Sequence, residues 1–425
     1  MIAFLEKNFV PIAAKIGSQR HLVAIRNGFV AIMPLMIVGS MAVLINNLPI
    51  KSYQNFMTGL FGEGWTGFGG NLWMGSFAVM SLFVAFSIAY NLAKSYDKDG
   101  LSCGIISIAS LMAIMNPASE AFAIPYTWTG AQGLFITIIV AILSTEIFVR
   151  LIGNDRLVIK MPDGVPPAVA RSFAALFPSI ITLSIFAFIK LFFVKIGHAD
   201  IHQFVFDFIQ APMSSMANTV WSAMIISLLN HLLWFFGLHG SNILEPVMQA
   251  LYMPAIEANA AAFQAGLPVK HIVTKPFFDA FVYMGGSGVT VALLTAIYIA
   301  GKRKHMKNLA NLSIAPALFN INEPVMFGLP IVLNPVFIIP FILTPFILTL
   351  TSYGAIAMNL VPKTVVFIPW TTPPIIGGIL ATGGSFAGGA LALINLSIAI
   401  AIYIPFIIIA EKAEEKKEKE EKNVI

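Results

Sequence analysis

The stretch Ala387–Ile409 reads AGGALALINLSIAIAIYIPFIII and carries no charged side chain. A helix needs about 20 apolar residues to cross the hydrocarbon core of a bilayer, so this stretch predicts a membrane-spanning helix. The chain contains further candidates of the same kind: Asn27–Leu48, Asn71–Ala93, Leu101–Asn116, Gln132–Leu151, Ser172–Val194, Thr219–Leu238, Asp279–Ala300 and Ile331–Met358.

The composition of the whole chain agrees with this interpretation. Of the 425 residues, 58% are hydrophobic and 11% are charged, and the mean hydropathy is +0.84. Soluble globular proteins carry roughly a quarter charged residues. The composition therefore excludes a soluble enzyme, a disordered chain and a nucleic-acid-binding protein, and it predicts an all-α polytopic membrane protein.

The basic residues predict the orientation of the chain. The first span is preceded by Lys15, Arg20 and Arg26, so the positive-inside rule places the N-terminus in the cytoplasm. Six spans then return the chain to the cytoplasm, yet the next one ends in the cationic run 301–307. An additional crossing must lie within 241–277, which predicts a broken helix or hairpin shielded by protein. We expect about ten crossings, cytoplasmic termini, and re-entrant segments at 308–330 and 373–386.

A polar stretch divides the chain into parts. Residues 198–218 predict an amphipathic linker between a scaffold half, 1–197, with five spans and a transport half, 219–410, in which the interrupted spans enclose a cavity for substrate. Residues 411–425 form a charged tail. The first twenty residues predict a short amphipathic helix on the membrane surface, or alternatively a solvated arm.

The segment FNINEPVMFGLP, Phe319–Pro330, is the strongest local motif. Pro324 suits the first turn of a helix, so Asn322 or Glu323 would cap that helix. The carboxylate and the free N–H groups of the helix start form a compact set of acceptors and donors that suits sugar hydroxyl groups. A plain buried cap is the alternative interpretation.

A second motif reads WFFGLHGSN and is followed by Glu245. An aromatic face at Trp234 beside His239 and Asn242 is a common way to hold a pyranose ring, because the C–H face of the sugar stacks while its hydroxyls form hydrogen bonds. The alternative is an interfacial tryptophan followed by a helix-ending His-Gly pair.

Two further motifs offer weaker candidates for substrate binding. Gly285 and Gly286 lack side chains where a ligand or another helix approaches, and close helix packing is the favoured interpretation of the two. Trp370 with Thr371 predicts a platform for a second sugar ring, and an interfacial anchor is the alternative.

The sequence predicts no metal site and no cofactor. No group of His, Cys, Asp and Glu has the spacing of metal ligands, and no GxxxxGK[ST] phosphate loop occurs. The single cysteine, Cys103, excludes a disulfide framework and a cysteine-based metal site.

The block Asn320–Ile331, together with GLHG at 237–240 and PWT at 369–371, resembles a known family. It is similar to the membrane component, enzyme IIC, of the lactose/cellobiose/diacetylchitobiose family of the phosphoenolpyruvate-dependent sugar phosphotransferase system. The resemblance covers essentially the whole chain.

This resemblance implies a homodimer in the bacterial cytoplasmic membrane, with the N-terminal half at the dimer interface and a mobile C-terminal half. It implies that a β-linked disaccharide of the cellobiose, diacetylchitobiose or lactose type is phosphorylated at its 6-hydroxyl by a phosphocysteine of a separate IIB protein, which IIA supplies indirectly. Glu323 and His239 would act at that hydroxyl, and Trp234, Asn242 and Trp370 would shape the sugar site. Cys103 lies in the scaffold half, so this chain has no phosphoryl-carrying residue of its own.

An ion-coupled secondary sugar transporter is the main alternative. It would use intramembrane acids such as Glu146, Glu245 or Glu323 as proton carriers. A membrane receptor or structural protein without transport is a second alternative.

Overall fold

The computed structural model describes residues 11–48, 50–118, 123–157, 159, 161–162, 164–329 and 331–422, with the backbone alone at 168 and 416–422. The predicted surface helix over the first twenty residues lies partly outside this range, and residues 11–17 are helical. The named elements of the described residues are all helices, as the composition predicts.

The helices before the polar stretch are long and apolar, with short helices at their ends. They are α1 (Arg20–Asn47), α2 (Lys51–Phe61), α3 (Gly67–Met74), α4 (Met80–Lys94), α5 (Gly100–Ile114), α6 (Tyr126–Thr129), α7 (Leu134–Ile152), α8 (Pro167–Ala174) and α9 (Leu176–Lys195). Local sequence sets some of these boundaries: the Asp99 carboxylate accepts hydrogen bonds from the N–H groups of Leu101 and Ser102 and so caps α5.

The helices of the second part are shorter and more often interrupted. They are α10 (Ile201–Val205), α11 (Ala211–Ala217), α12 (Val220–Phe235), α13 (Gly240–Gln264), α14 (Lys275–Phe281), α15 (Thr290–Ala300), α16 (Lys304–Leu318), α17 (Glu323–Gly328), α18 (Ile338–Ala357), α19 (Ile376–Ala381) and α20 (Phe386–Lys422). A π-helical turn, Phe206–Gln210, joins α10 to α11.

Six helical stretches of the described residues are long and apolar enough to cross a membrane: Arg20–Asn47, Glu63–Lys94, Ala131–Ile152, Leu176–Lys195, Ile338–Ala357 and Phe386–Glu415. A seventh candidate is the pair Ile201–Ala217 and Val220–Phe235, which is bent by 79°. The chain is therefore a polytopic helical membrane protein, and the predicted total of ten crossings is not confirmed by these lengths.

The predicted span Asp279–Ala300 is not one helix. Helix α14 ends at Phe281 and α15 begins at Thr290. Between them Gly285, Gly286 and Gly288 adopt φ angles of 83°, 87° and 85°. This left-handed backbone is open to glycine and ends a right-handed helix, so the glycines interrupt the apolar run.

The structure contains a break within the predicted range 241–277. Helix α13 is continuous over 25 residues in spite of Pro246 and Pro254, and the break comes at 265–274. The buried side chain of Asn259 holds this returning segment: its Nδ2 donates to the carbonyl of His271 at 2.7 Å, and its Oδ1 accepts from the His271 N–H at 2.9 Å. The polar residues of α13 thus pack against protein.

The segments predicted as re-entrant contain short helices. Helix α16 and the one-turn α17 occupy 304–328, and α19 is six residues long before α20 begins. The largest hydrophobic cluster is drawn from Ala217 onward, with Leu44 and Leu48 as the contributors from earlier helices. Other clusters fill the space among α1, α4, α5, α7 and α9.

Hydrogen bonds connect the two groups of helices at a few places. The Glu257 carboxylate of α13 accepts from the Ala131 N–H at 2.6 Å, and the Gln210 side chain donates to the Ala131 carbonyl at 3.0 Å. The Phe367 N–H donates to the Ser40 hydroxyl of α1 at 3.0 Å. Helix α1 therefore packs directly beside the later helices.

Candidate functional site

A cavity of about 480 Å³ lies among α1, α12, α13, α14 and the loops at 286–287 and 320–323. Its volume falls within the range of small-molecule sites, roughly 300–1,000 Å³. Many of the side chains in its wall are polar. Most of the predicted site residues line the cavity: His239, Asn242, Glu245, Gly286, Asn322, Glu323 and Trp370.

His239 and Glu323 come together in this cavity although 84 residues separate them in the sequence. The His239 Nε2 lies 3.4 Å from the Glu323 Oε1. The two side chains are 39% and 43% exposed, so a ligand in the cavity can reach both. Their contact forms a donor and acceptor pair at one point of the wall.

The local backbone fixes the orientation of the His239 ring. His239 occupies the N-cap of α13, and its Nδ1 accepts a hydrogen bond from the Asn242 N–H at 3.2 Å. A neutral imidazole has one donor and one acceptor nitrogen. Since Nδ1 is the acceptor, Nε2 carries the hydrogen and points it at Glu323.

Glu323 begins α17, and Pro324 stands in its first turn as the sequence predicts. Asn322 occupies the N-cap position, but its side chain does not cap the helix. Its Nδ2 instead donates to the Ser287 carbonyl at 3.2 Å. The predicted capping role of the Asn322 side chain is therefore wrong, because the glycine loop takes that donor and holds α17 against the cavity.

The two tryptophans occupy different positions. Trp370 is 45% exposed on the cavity wall, where its ring is available for stacking. Trp234 is 3% exposed and does not line the cavity. Its ring centroid lies 4.4 Å from that of His239, and its Nε1 donates to the Ser241 hydroxyl at 3.4 Å. Trp234 in this arrangement supports His239 from behind, which differs from the predicted sugar platform.

Gly285 and Thr371 do not line the cavity. The Gly285 N–H donates to the Asn320 Oδ1 at 2.6 Å, so Gly285 acts through the loop that it stabilises. Thr371 follows Trp370 and is partly buried.

Asn320, to which the sequence analysis gives no role, joins three loops around the cavity. Its Oδ1 accepts from Gly285, and its Nδ2 donates to the carbonyls of Trp370 at 2.5 Å and Thr372 at 3.0 Å. Asn320 adopts a φ of 62°, a conformation that asparagine tolerates better than most residues. Asn320 lies within the motif Phe319–Pro330, but no local feature of the sequence indicates these contacts.

A buried ion pair also lines the cavity. The Lys275 Nζ lies 2.8 and 2.9 Å from the two oxygens of Asp279, one helical turn away on α14. Glu245 on the facing helix accepts from the Gln249 side chain at 2.5 Å. The i, i+4 spacing of Lys275 and Asp279 was the signal in the sequence for a paired rather than an isolated charge.

Gly286 should tolerate no side chain. A Cβ there would lie 2.7 Å from the Asn320 carbonyl oxygen and 2.9 Å from the Asn322 Cβ, and φ is +87°. We expect Gly286→Ala to lower the melting temperature in detergent and to weaken sugar binding by at least about 10-fold, since strained backbone costs about 1–3 kcal/mol and the loop must shift.

Gly266→Ala is the matched control for this prediction. Gly266 has a φ of +66°, and a Cβ added there would meet no atom within 4 Å, so it isolates the backbone term. Its sugar affinity should stay at the wild-type value. Equal affinities of both variants would show that Gly286 does not shape the cavity.

Known proteins resemble this chain over most of its length. The family model described as "Phosphotransferase system, EIIC" matches residues 26–345. The cellobiose-specific EIIC component of Geobacillus stearothermophilus is 42% identical over 435 residues, covering 98% of this chain and 96% of the relative. The lichenan permease IIC component of Bacillus subtilis is 39% identical over 428 residues, covering 97% and 94%.

A solved structure is also similar over nearly the whole chain. It is the crystal structure of the transporter ChbC, the IIC component from the N,N'-diacetylchitobiose-specific phosphotransferase system. The TM-score is 0.93 and the sequence identity is 40%, and the match covers 98% of this chain and 99% of that chain.

Proposed function

Because the chain belongs to the EIIC family of the phosphotransferase system, we propose that it is the membrane permease for a β-linked disaccharide of the cellobiose, diacetylchitobiose or lactose type. The observation that carries this proposal is the cavity of about 480 Å³, with the His239–Glu323 pair and the exposed Trp370 in its wall. A neutral sugar needs both an apolar ring face and many hydrogen-bonding groups, and this wall supplies both.

The His239–Glu323 pair is assigned to the 6-hydroxyl of the sugar. The Glu323 carboxylate accepts a hydrogen bond from that hydroxyl and takes its proton as the oxygen attacks phosphorus. The phosphoryl group comes from a phosphocysteine on a separate IIB protein. Cys103 is 1% exposed within the first group of helices, so its thiol is out of reach of the sugar and of a phosphoryl donor.

The organisation of the chain follows the same proposal. The scaffold half, 1–197, forms the homodimer; the linker, 198–218, joins it to the transport half, 219–410; and the charged tail, 411–425, lies in the cytoplasm with the N-terminus. Supporting observations are the 79° bend after the linker and the hydrophobic cluster that begins at Ala217. The short helices and loops complete ten crossings of the bacterial cytoplasmic membrane.

An uptake measurement tests this function against an ion-coupled transporter. Membrane vesicles that contain the chain and its IIA and IIB proteins should accumulate labelled disaccharide as its phosphate when phosphoenolpyruvate is supplied. Collapse of the proton gradient by an uncoupler should leave the accumulation rate within about two-fold of the untreated rate, because the sugar phosphate is retained by the charge of its phosphoryl group. Immediate loss of uptake with the uncoupler, or accumulation of free sugar, would contradict the proposal.

A further inference from the structure

Arg26 reaches the sugar cavity from a helix of the scaffold half. It lines the wall together with Val30 and Met33, which follow it at i+4 and i+7 on the same face of α1. Its Nε donates to the Asn27 side chain at 3.2 Å, and the side chain is partly buried. In the sequence analysis Arg26 serves only as a basic residue that orients the chain in the membrane, but the structure places it in the wall of the cavity.

Arg26 is one of two cationic side chains among the described residues of the wall, and the two differ in their partners. Lys275 is bound to both oxygens of Asp279 at 2.8 and 2.9 Å, so a carboxylate already neutralises its charge. The Arg26 guanidinium has an amide as its hydrogen-bond partner. It therefore brings to the cavity a positive charge that is not cancelled by a paired carboxylate within the part of the chain that the structure describes.

The position of Arg26 relative to His239 gives this charge a direction. Arg26 and His239 line the same cavity, Arg26 from α1 and His239 from the start of α13. It lies six residues after the start of α1, roughly 9 Å along the helix axis from the end predicted to be cytoplasmic. A phosphoryl donor that arrives from the cytoplasm would approach the cavity from this end of α1.

We propose that Arg26 is a catalytic residue that binds the phosphoryl group during its transfer to the sugar, an inference that rests on the proposed function. In the step, the 6-hydroxyl oxygen forms a bond to phosphorus, the P–S bond to the partner's cysteine breaks, and the cysteine leaves as a thiolate. The hydroxyl proton passes to Glu323. The transferring group carries negative charge on three equatorial oxygens, and a guanidinium matches them with parallel N–H donors.

The location of Arg26 couples this chemistry to the arrangement of the two halves. His239 and Glu323 belong to the second group of helices, whereas Arg26 belongs to the first. The three side chains line one cavity because the two groups of helices are packed as they are in this structure. Phosphoryl transfer is then restricted to one position of the transport half. The sugar is phosphorylated only after this half has carried it to the position beside Arg26.

The test uses the full chain in proteoliposomes with purified, phosphorylated IIB protein and labelled cellobiose as the acceptor. Arg26→Gln should lower kcat for sugar phosphate formation by at least about 100-fold, since a positioned arginine contributes this much or more to phosphoryl transfer. KM for phosphorylated IIB and Kd for cellobiose should stay within two-fold. Arg26→Lys keeps the charge without the paired donors and should recover part of the rate.

Controls separate this inference from other roles. Arg156→Gln removes an exposed arginine of the same half and should retain wild-type kinetics. An unchanged kcat in Arg26→Gln, a rise confined to KM for IIB, or weaker cellobiose binding with normal kcat would each overturn the proposal. If Arg26→Gln fails to fold, as judged by cellobiose binding, a wild-type kcat in Arg26→Lys would overturn it. If the wild-type chain forms no sugar phosphate, the proposed function itself fails.

Discussion

Glu323→Gln is expected to reduce phosphorylation-coupled uptake by at least about 100-fold while sugar binding changes by no more than a few-fold. The glutamine side chain has the same shape and keeps an oxygen that can accept the hydrogen bond from His239 Nε2, now 3.4 Å away. It has no basic carboxylate to take the proton of the attacking hydroxyl. The loss should therefore appear in the rate of transfer rather than in the affinity.

The measurement is the initial rate of sugar phosphate formation together with a binding titration of the same preparation. Glu63→Gln is the matched control, because Glu63 is an exposed carboxylate in the first group of helices. That variant should behave as the wild type. Normal phosphorylation in Glu323→Gln would refute the assigned role of this carboxylate.

Asn320→Ala is expected to cause the largest loss of sugar binding among residues to which the sequence analysis gives no role. Three hydrogen bonds disappear, to the backbone of Gly285, Trp370 and Thr372, and the Gly285 N–H is left buried without this partner. Each unsatisfied buried group costs about 1–3 kcal/mol. Alanine at a φ of 62° adds roughly 1–2 kcal/mol. We expect a lower melting temperature and no measurable disaccharide binding.

Two variants separate the causes of that loss. Asn320→Gly keeps the left-handed backbone without strain, so a binding defect in it reports the hydrogen bonds alone. Asn311→Ala is the control for removal of an exposed asparagine, which accepts a bond from the Tyr298 hydroxyl. Wild-type sugar affinity in Asn320→Gly would contradict the role of Asn320 as the link among the three loops.

Local properties of the sequence predicted the class of the fold. Long uncharged runs give long apolar helices wherever no glycine stretch intervenes, and the resemblance built on residues 320–331 is confirmed by the family match. The glycines at 285–288 interrupted one predicted span. The charges within 241–277 predicted a break shielded by protein. The chain breaks after Gln264, and Glu257 of α13 binds the Ala131 N–H.

The sequence pointed to His239 and Glu323 separately, and the structure brings their side chains into contact. Their chemical roles stay predictions. The hydrogen bonds of Asn320 join residues 35 to 52 positions apart, and Arg26 meets the site from another group of helices. No local pattern contains such pairings, which is why these residues could not be selected from the sequence. Trp234 shows the opposite case, since a residue type suited to stacking is buried behind the cavity wall in this structure.

A cryo-electron microscopy map of the chain with bound cellobiose tests the central claim most directly. The account predicts sugar density inside the cavity, with one ring against Trp370 and the exocyclic 6-hydroxyl of the disaccharide within hydrogen-bonding distance of the Glu323 carboxylate and His239 Nε2. Density for the sugar at another place, or a 6-hydroxyl directed away from this pair, would contradict it.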